Sequence, residues 1–268
     1  MRDFSRQSFL GPDSDAIFGS IIVGVVGLGG GGSHVVQQLA HLGVRHFVIA
    51  DPDIVEDSNL NRLVGATRRD AAKQTPKVQV AERVIRGLTT RPSIVKIQDA
   101  WQADAIELRA CHFLVGCVDS FSERNQLEQF SRRFLIPYVD IGMDVHLVDG
   151  QFVIGGQVVL STPGEHCLWC MGILDKESIA AEARRYGDAG GRPQVVWPNG
   201  VLASIAVGLF VQMVTPWHDH PISTAYLEYD GNSHTVKVSN RMLPLVGRQC
   251  PHFQSTDRGD AFFGRPPS

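Results

Sequence analysis

Glycines, acids and an arginine suited to nucleotide binding are concentrated between residues 21 and 62. A short β-branched run leads into glycines with the pattern G-x-G-x-x-G, and a helix-period segment and a second β-run ending in Asp51 follow. Asp51 comes about 20 positions after the last glycine, the distance at which an acid meets a ribose hydroxyl. Glycines permit a tight strand-to-helix turn and let backbone amides reach a phosphate. The candidate phosphate-facing residues are Gly27, Gly29, Gly30 and Gly32. A glycine-rich turn without a ligand is the alternative.

A second polar group follows Asp51 and contains Asp53, Asn59 and Arg62. A hydride-transferring nicotinamide domain has no need of this group, whereas arginine chelates phosphate oxygens bidentately. At these residues the sequence resembles the ThiF/MoeB/HesA family, relatives of the ubiquitin-activating enzymes. The family pattern is G-x-G-G-x-G followed by D-x-D-x-V-x-x-S-N-L-x-R. The resemblance covers roughly residues 2–253, and its first half is the more specific.

The resemblance implies roles for several side chains around an ATP molecule. Asp51 would face the ribose, and Asn59, Arg62 and Lys77 would face the phosphate chain, with Asp53 also in the nucleotide site. Lys77 begins a helical pattern, where a cation is unfavourable unless an anion lies nearby; a solvated lysine is the alternative. Arg6 would reach across a dimer interface to the partner's nucleotide, although a solvated arm is usual for a terminus.

Asp119 follows a wholly apolar run, residues 113–118, that is typical of a central parallel strand. Open α/β sheets place ligand chemistry at this end of a strand, and Mg²⁺ prefers carboxylate oxygens. The resemblance implies that Asp119 holds Mg²⁺ on the triphosphate. Alternatively, Asp119 or Ser120 caps the helix that follows.

The cysteines raise a separate question. Cys167 and Cys170 form a CxxC pair, and Cys250 and His252 lie near the C-terminus. Family members commonly carry a second CxxC there, so this chain departs from the pattern, but a Cys₃His set is a known structural Zn²⁺ site. The alternatives are a site without metal, or Cys250 acting as a nucleophile.

Thioester-forming relatives carry a nucleophilic cysteine in a long crossover segment, and residues 171–197 contain none here. Cys111 and Cys117 lie on or beside a buried strand, where a free cysteine usually serves packing. We therefore expect adenylation without a crossover-segment thioester cysteine of the chain's own.

Composition limits the class of protein. The chain has 268 residues, a formal net charge of −3 and five cysteines. It has no basic block, which disfavours nucleic acid as the main partner, and no apolar signal-peptide core, which disfavours secretion. An odd number of cysteines, two of them as CxxC, favours a reducing cytoplasm over a disulfide scaffold. The apolar run at 201–214 is too short for a membrane span and predicts a buried helix.

The predicted fold is α/β: a Rossmann-like doubly wound sheet, mostly parallel, extended by antiparallel strands. Turn signals at Asp149-Gly150 and at 230–233 predict two hairpins. Residues 1–268 would form one adenylation domain with an N-terminal arm at 1–20 and a flexible tail at 254–268.

The predicted function is ATP-dependent adenylation of the C-terminal glycine carboxylate of a ubiquitin-like or sulfur-carrier protein. The expected cofactors are ATP, Mg²⁺ and Zn²⁺. The expected partners are that carrier, a second copy of the chain, and a conjugating or sulfurtransferase protein. An NAD-dependent oxidoreductase and a non-catalytic ATP-binding subunit are the alternatives.

Overall fold

One eight-stranded sheet organises the part of the chain that the structure, a computed structural model, describes: residues 5–184, 193–220 and 222–253. Its strand order is β3-β2-β1-β4-β5-β6-β7-β8. Strands β1 to β8 are Ile22–Val26, His46–Ala50, Ser93–Ile97, Phe113–Gly116, Tyr138–Val148, Gln151–Ser161, Ala225–Asp230 and Thr235–Val238. Helices α1 to α8 are Ser14–Ser20, Gly30–Leu42, Arg68–Ala72, Lys77–Leu88, Ala105–Leu108, Phe121–Phe134, Lys176–Arg184 and Val196–Val214.

Strands β3, β2, β1, β4 and β5 are parallel. The central strands β1 and β4 are almost wholly buried, as expected for apolar runs covered on both faces. The chain builds outward from β1 through β2 to β3, then returns to place β4 on the other side of β1. This reversal of strand order opens a crevice at the carboxyl ends of β1 and β4, where open α/β sheets bind ligands.

The antiparallel part of the sheet contains both predicted hairpins. Strands β5 and β6 join through Asp149 and Gly150, which have φ values of 49° and 78°. Positive φ at both central residues is the requirement of a tight type I′ hairpin turn. Strands β7 and β8 form the second hairpin. The predicted doubly wound fold with an antiparallel extension is confirmed.

Helices cover both faces of the sheet. Helices α2, α4 and α8 pack with α1 on one face, and α5 and α6 pack on the other. Helix α8 is long and apolar enough to span a membrane by length and composition, but half of its most apolar stretch is buried inside the protein. It contacts α2, β5 and β6, as a core helix does. Pro198 lies in its first turn, where a missing N–H leaves no hydrogen bond broken.

Residues 5–20, which fall in the predicted N-terminal arm, contain two helical segments. Residues Ser5–Leu10 form a 3₁₀ turn, and α1 buries Phe18 completely in the core. The predicted tail at 254–268 lies outside the described residues, and the single-domain organisation stays a prediction.

Candidate nucleotide-binding site

A cavity of about 1120 Å³ opens at the carboxyl ends of β1, β2 and β4. The loops after these strands line it together with the first turns of α2, α4, α6 and α8 and one side of α7. A cavity of this size accommodates a nucleotide. Nine of the predicted nucleotide and metal residues line this cavity: Gly27, Gly29, Gly30, Asp51, Asp53, Asn59, Arg62, Lys77 and Asp119.

The glycine loop forms the turn from β1 into α2. Gly27 has φ +85°, and a Cβ there would lie 2.5 Å from the Cys117 carbonyl oxygen, so both conformation and space demand glycine. Gly29 is the N-cap residue of α2, and among the described residues no side chain caps this helix start. The first amides of α2 therefore face the cavity with the positive end of the helix dipole.

Two other glycines of the fingerprint differ in their surroundings. Gly30 lines the cavity, and a Cβ on it would lie 2.6 Å from the Asn199 side-chain nitrogen. Gly32 is not among the lining residues; a Cβ there would lie 1.8 Å from the Gly27 carbonyl oxygen. Its position corresponds to close helix–strand packing and not to ligand contact.

Asp51 is buried at the end of β2 and ties two loops together. Its carboxylate accepts hydrogen bonds from the amides of Leu28 at 2.6 Å and Asp53 at 2.9 Å. Burial raises the pKa of Asp51, and the Lys77 ammonium and the two amides oppose that rise. Each carboxylate oxygen keeps a second lone pair, so a ribose hydroxyl could still donate to it.

Lys77 begins α4 and extends into the cavity. Its Nζ lies 2.6 Å from Asp53 Oδ2 and 3.6 Å from Asp51 Oδ1. These carboxylates are the anions that compensate for a cation in the first turn of a helix. The Lys77 side chain is 11% exposed, whereas that of Asp53 is 64% exposed. Lys77 is thus held at the site by its own acids, and contact with phosphate stays a prediction.

Asn59 and Arg62 lie on the loop after β2 and line the cavity. Asn59 accepts a hydrogen bond from the Glu56 amide at 3.0 Å and so closes a 3₁₀ turn. Arg62 Nη1 donates to the Ser58 carbonyl at 2.7 Å. This bond holds one edge of the guanidinium against the loop.

The carboxyl end of β4 presents an acidic group. Asp119 is exposed to the cavity, whereas the Ser120 hydroxyl accepts from the Glu123 amide and caps α6. The capping alternative is therefore met by Ser120, which leaves the Asp119 carboxylate available for a cation. Glu123 also lines the cavity. Its pKa is raised, mainly by burial and secondly by the nearby Glu182 carboxylate.

Sequence reasoning missed three of the lining residues that stand out: Asn199, Trp101 and Glu182. Asn199 is buried in the first turn of α8 and donates to the Val195 carbonyl at 2.8 Å. The only sequence signal was its place in a Pro-Asn-Gly helix start. Trp101 follows β3 in a 3₁₀ turn, and no local pattern marked it.

Glu182 belongs to α7, inside the segment predicted as the crossover. Its carboxylate accepts from the amides of Phe121 at 3.2 Å and Ser122 at 2.9 Å, and from the Ser120 hydroxyl at 3.1 Å. It therefore occupies the N-terminus of α6. An acid on a helical surface pattern reads as solvated, so sequence alone gave no indication of this contact.

Arg6 lies far from the cavity of its own chain. The adjacent Gln7 side chain donates to the Leu42 carbonyl at 3.0 Å, at the C-terminal end of α2. Since α2 has 13 residues, that end is about 20 Å from the glycine loop. Arg6 would therefore serve a nucleotide only in another subunit, as its predicted role requires.

The four predicted zinc ligands come together away from the cavity. Cys167, Cys170, Cys250 and the Nδ1 atom of His252 all lie within 4.8 Å of one another. The sulfur atoms are 3.5–3.6 Å apart, and Nδ1 is 3.4 Å and 3.5 Å from two of them. Tetrahedral zinc with Zn–S bonds of about 2.3 Å requires sulfurs about 3.8 Å apart. The tight Cys-x-His spacing is therefore compatible with one ion.

The positions of the other cysteines bear on the nucleophile alternative. Cys250 is grouped with the metal-type ligands and is not among the cavity-lining residues. The hydrogen bond between the Cys250 and Cys167 sulfurs lowers the pKa of Cys250, which favours a thiolate ligand. Cys117 lines the cavity, but desolvation raises its pKa far above that of a free thiol. Burial likewise raises the pKa of Cys111 to about 12.

Comparison with known proteins identifies the lineage. The family model described as the ThiF family matches residues 5–251. The chain belongs to the ThiF family. The resemblance read from the glycine loop and the segment after Asp51 is confirmed.

Two curated relatives of this ThiF-family chain have named activities. It is 30% identical over 163 residues to the SAMP-activating enzyme E1 of Haloferax volcanii, covering 60% of this chain and 57% of the relative. It is 28% identical over 176 residues to the sulfur carrier protein ThiS adenylyltransferase of Bacillus subtilis, covering 62% and 49%. The chain thus spans about half the length of these relatives.

The fold has a solved counterpart. A crystal structure of Escherichia coli MccB with ATP superposes with a TM-score of 0.69 at 19% identity, covering 89% of this chain and 67% of that one. At this identity the likeness supports the Rossmann-like fold of the ThiF-family chain.

Proposed function

We propose that this protein is an adenylyltransferase that uses ATP to activate the C-terminal carboxylate of a small ubiquitin-like or sulfur-carrier protein. The observation that carries the proposal is the joining of an uncapped glycine-rich helix start, Asp51, Arg62 and Lys77 in one cavity. Membership of the ThiF family supports it, as do relatives named as ThiS adenylyltransferase and SAMP-activating enzyme.

The charges of the cavity support a requirement for metal. Lys77 and Arg62 are the two cations among its described lining residues, against seven carboxylates. A triphosphate brought into such a site is repelled unless further positive charge accompanies it. Asp119 fits this need, since it offers carboxylate oxygen to the cavity and is not the cap of α6. Bound Mg²⁺ would supply charge neutralisation on the phosphates.

The reaction would consist of positioning and charge neutralisation. A carboxylate oxygen of the carrier attacks the α-phosphorus, and the bond between that phosphorus and the bridging oxygen breaks, so pyrophosphate leaves with the electron pair. The amides of α2 and the side chains of Arg62 and Lys77 would hold the phosphates as charge moves toward the leaving group. Asp51 would orient the ribose, with Asn59 and Asp53 beside the phosphates. No covalent enzyme intermediate is needed.

Three further parts of the proposal concern the assembly. Cys167, Cys170, Cys250 and His252 would hold a structural Zn²⁺, which ties the C-terminal segment to the loop after β6. Arg6 would complete the site of a second copy in a homodimer. A conjugating or sulfurtransferase protein would receive the activated carrier, in the cytoplasm.

Two measurements test the function. Calorimetry should detect binding of ATP with Mg²⁺ and no comparable binding of NAD. Pyrophosphate exchange with ThiS as the probe carrier should depend on this protein and be abolished by Lys77→Ala and by Asp119→Ala. Failure to bind ATP with Mg²⁺, or near-normal exchange in both variants, refutes the assignment.

A further inference from the structure

Helix α6 buries three charged side chains at four-residue spacing. Arg124, Glu128 and Arg132 are 7%, 0% and 4% exposed. Burying a charge costs several kcal/mol unless it is paired and hydrogen-bonded. A helix that carries three of them in a row has partners that make these charges tolerable, and those partners indicate what the charges do.

The contacts of Arg124 lead to the cavity. Its Nε donates to the Val118 carbonyl at 3.2 Å, directly before Asp119. Its Nη1 pairs with Oδ2 of the fully buried Asp140 at 3.0 Å. The Tyr138 hydroxyl donates to the other oxygen of Asp140 at 2.9 Å. A continuous chain of hydrogen bonds thus runs from β5 to the turn that carries Asp119.

Two glycines on the neighbouring strands make room for this chain of side chains. A Cβ at Gly116 would lie 2.4 Å from the Tyr138 hydroxyl oxygen. A Cβ at Gly142 would lie 2.9 Å from both terminal nitrogens of Arg124. Any larger residue at either position would displace a member of the network, because protein interiors leave little free space.

We propose that Arg124, held by Asp140 and Tyr138, is a positioning residue that fixes the Val118–Asp119 turn for cation binding by Asp119. The inference rests on the proposed function for the assignment of Asp119. Residues that orient a metal ligand from behind commonly contribute tenfold or more to metal affinity. The planar guanidinium reaches the Val118 carbonyl with Nε and the Asp140 carboxylate with Nη1, two donors held at a fixed separation that a lysine ammonium does not provide.

Arg132 provides a matched control on the same helix. It pairs with the buried Glu128 at 2.9 Å, and it donates to the carbonyls of Glu165 and His166. It is therefore as buried and as fully paired as Arg124, but it holds the segment before Cys167 and not the Asp119 turn. Arg132→Lys should disturb folding to a similar degree as Arg124→Lys without affecting the cavity.

The experiment measures the Mn²⁺ affinity of the protein–ATP complex by the electron paramagnetic resonance of free Mn²⁺, with thermal unfolding of each variant alongside. Arg124→Lys should weaken Mn²⁺ binding about tenfold. Arg132→Lys should change it less than about twofold, although both variants unfold at lower temperature. Tyr138→Phe keeps the ring and removes one hydrogen bond to Asp140, and it should weaken Mn²⁺ binding about threefold. If Arg124→Lys does not fold, the Mn²⁺ affinity of Tyr138→Phe tests the positioning role in its place.

Different results reject different claims. The positioning role is overturned if Arg124→Lys and Tyr138→Phe both bind Mn²⁺ with wild-type affinity. It is also overturned if Arg132→Lys weakens Mn²⁺ binding as much as Arg124→Lys does. Pyrophosphate exchange on the same samples separates this from the function. If the wild type binds Mn²⁺ and ATP but shows no pyrophosphate exchange, the adenylation proposal is wrong and the positioning role still stands. If the wild type does not bind Mn²⁺ with ATP, both proposals are wrong.

Discussion

Replacing Lys77 by alanine tests the nucleotide site most directly, because the structure allows two explanations of this residue. Its ammonium pairs with Asp53 at 2.6 Å and approaches Asp51 at 3.6 Å. It is therefore either a structural partner of two acids or a cation that passes to the phosphates when ATP binds. The two explanations predict different changes in stability and in affinity.

The structural contribution of the pair should be small. Asp53 is largely exposed, and an exposed ion pair contributes under about 1 kcal/mol after solvent screening. The contact with the buried Asp51 is longer, at 3.6 Å, and two backbone amides also stabilise that carboxylate. A charge-assisted hydrogen bond to phosphate contributes about 1.5–3 kcal/mol. We therefore expect Lys77→Ala to weaken ATP–Mg²⁺ binding about 10- to 150-fold and to lower the free energy of unfolding by less than about 1 kcal/mol.

Calorimetry with ATP and Mg²⁺, together with denaturant unfolding, measures both quantities. Lys73→Ala is the control, since Lys73 is an exposed lysine at the end of α3 and is not among the lining residues. The double variant Lys77→Ala/Asp53→Ala removes the acid that Lys77 leaves unpaired. If the double variant regains wild-type affinity, the loss came from repulsion by Asp53 and the phosphate role is wrong. A dissociation constant within about threefold of wild type in Lys77→Ala also refutes it.

Three other changes have expected outcomes. Gly32→Ala should destabilise the fold by about 3 kcal/mol or more in denaturant unfolding, because its Cβ would meet backbone at 1.8 Å. Its control is Gly208→Ala on α8, where among the described residues nothing lies within 4 Å of the added Cβ; this change should stabilise the fold by up to about 1 kcal/mol through helix propensity. Asp70→Asn should lower the free energy of unfolding by about 1–2 kcal/mol at pH 7, because Arg83 and the Thr67 cap hold the pKa of Asp70 well below its usual range. In the wild type this contribution is present above about pH 4 and is lost as the pH falls. The unfolding free energy of the variant should therefore depend less on pH in acid than that of the wild type. Cys170→Ser should lower the zinc content measured by elemental analysis and the melting temperature, and an unchanged zinc content would exclude the proposed ligand set.

The sequence was most informative where the chemistry depends on residues close together in the chain. The glycine loop, Asp51 and Lys77 belong to the continuous stretch from β1 to the start of α4, so their spacing alone predicts that they meet at the ends of β1 and β2. The cysteine group was foreseen across about eighty residues because few residue types bind zinc. In that case ligand chemistry, and not chain proximity, limited the choices.

Prediction was weakest where distant segments meet the cavity. Asn199 and Glu182 reach it from α8 and α7, and nothing in their local sequence specifies the direction of approach. Helix α6 shows a second limit of sequence patterns. Its composition is polar enough to indicate a surface helix, but Arg124 and Arg132 are buried by partners on β5 and in the loop after β6. Burial of a charge depends on such partners, which periodicity does not reveal.

Of the helix starts that line the cavity, those of α2 and α6 differ in a way that bears on where phosphate would bind. The first amides of α6 already donate to the Glu182 carboxylate, and Ser120 caps the same turn. The start of α2 has no side-chain cap among the described residues, and a Cβ at Gly29 would meet nothing there within 4 Å. Since an uncompensated helix start attracts an anion and a filled one does not, we expect the phosphates to bind at α2. Asp119, beside the filled helix start of α6 and in the same cavity, is then the carboxylate that we expect to hold the cation.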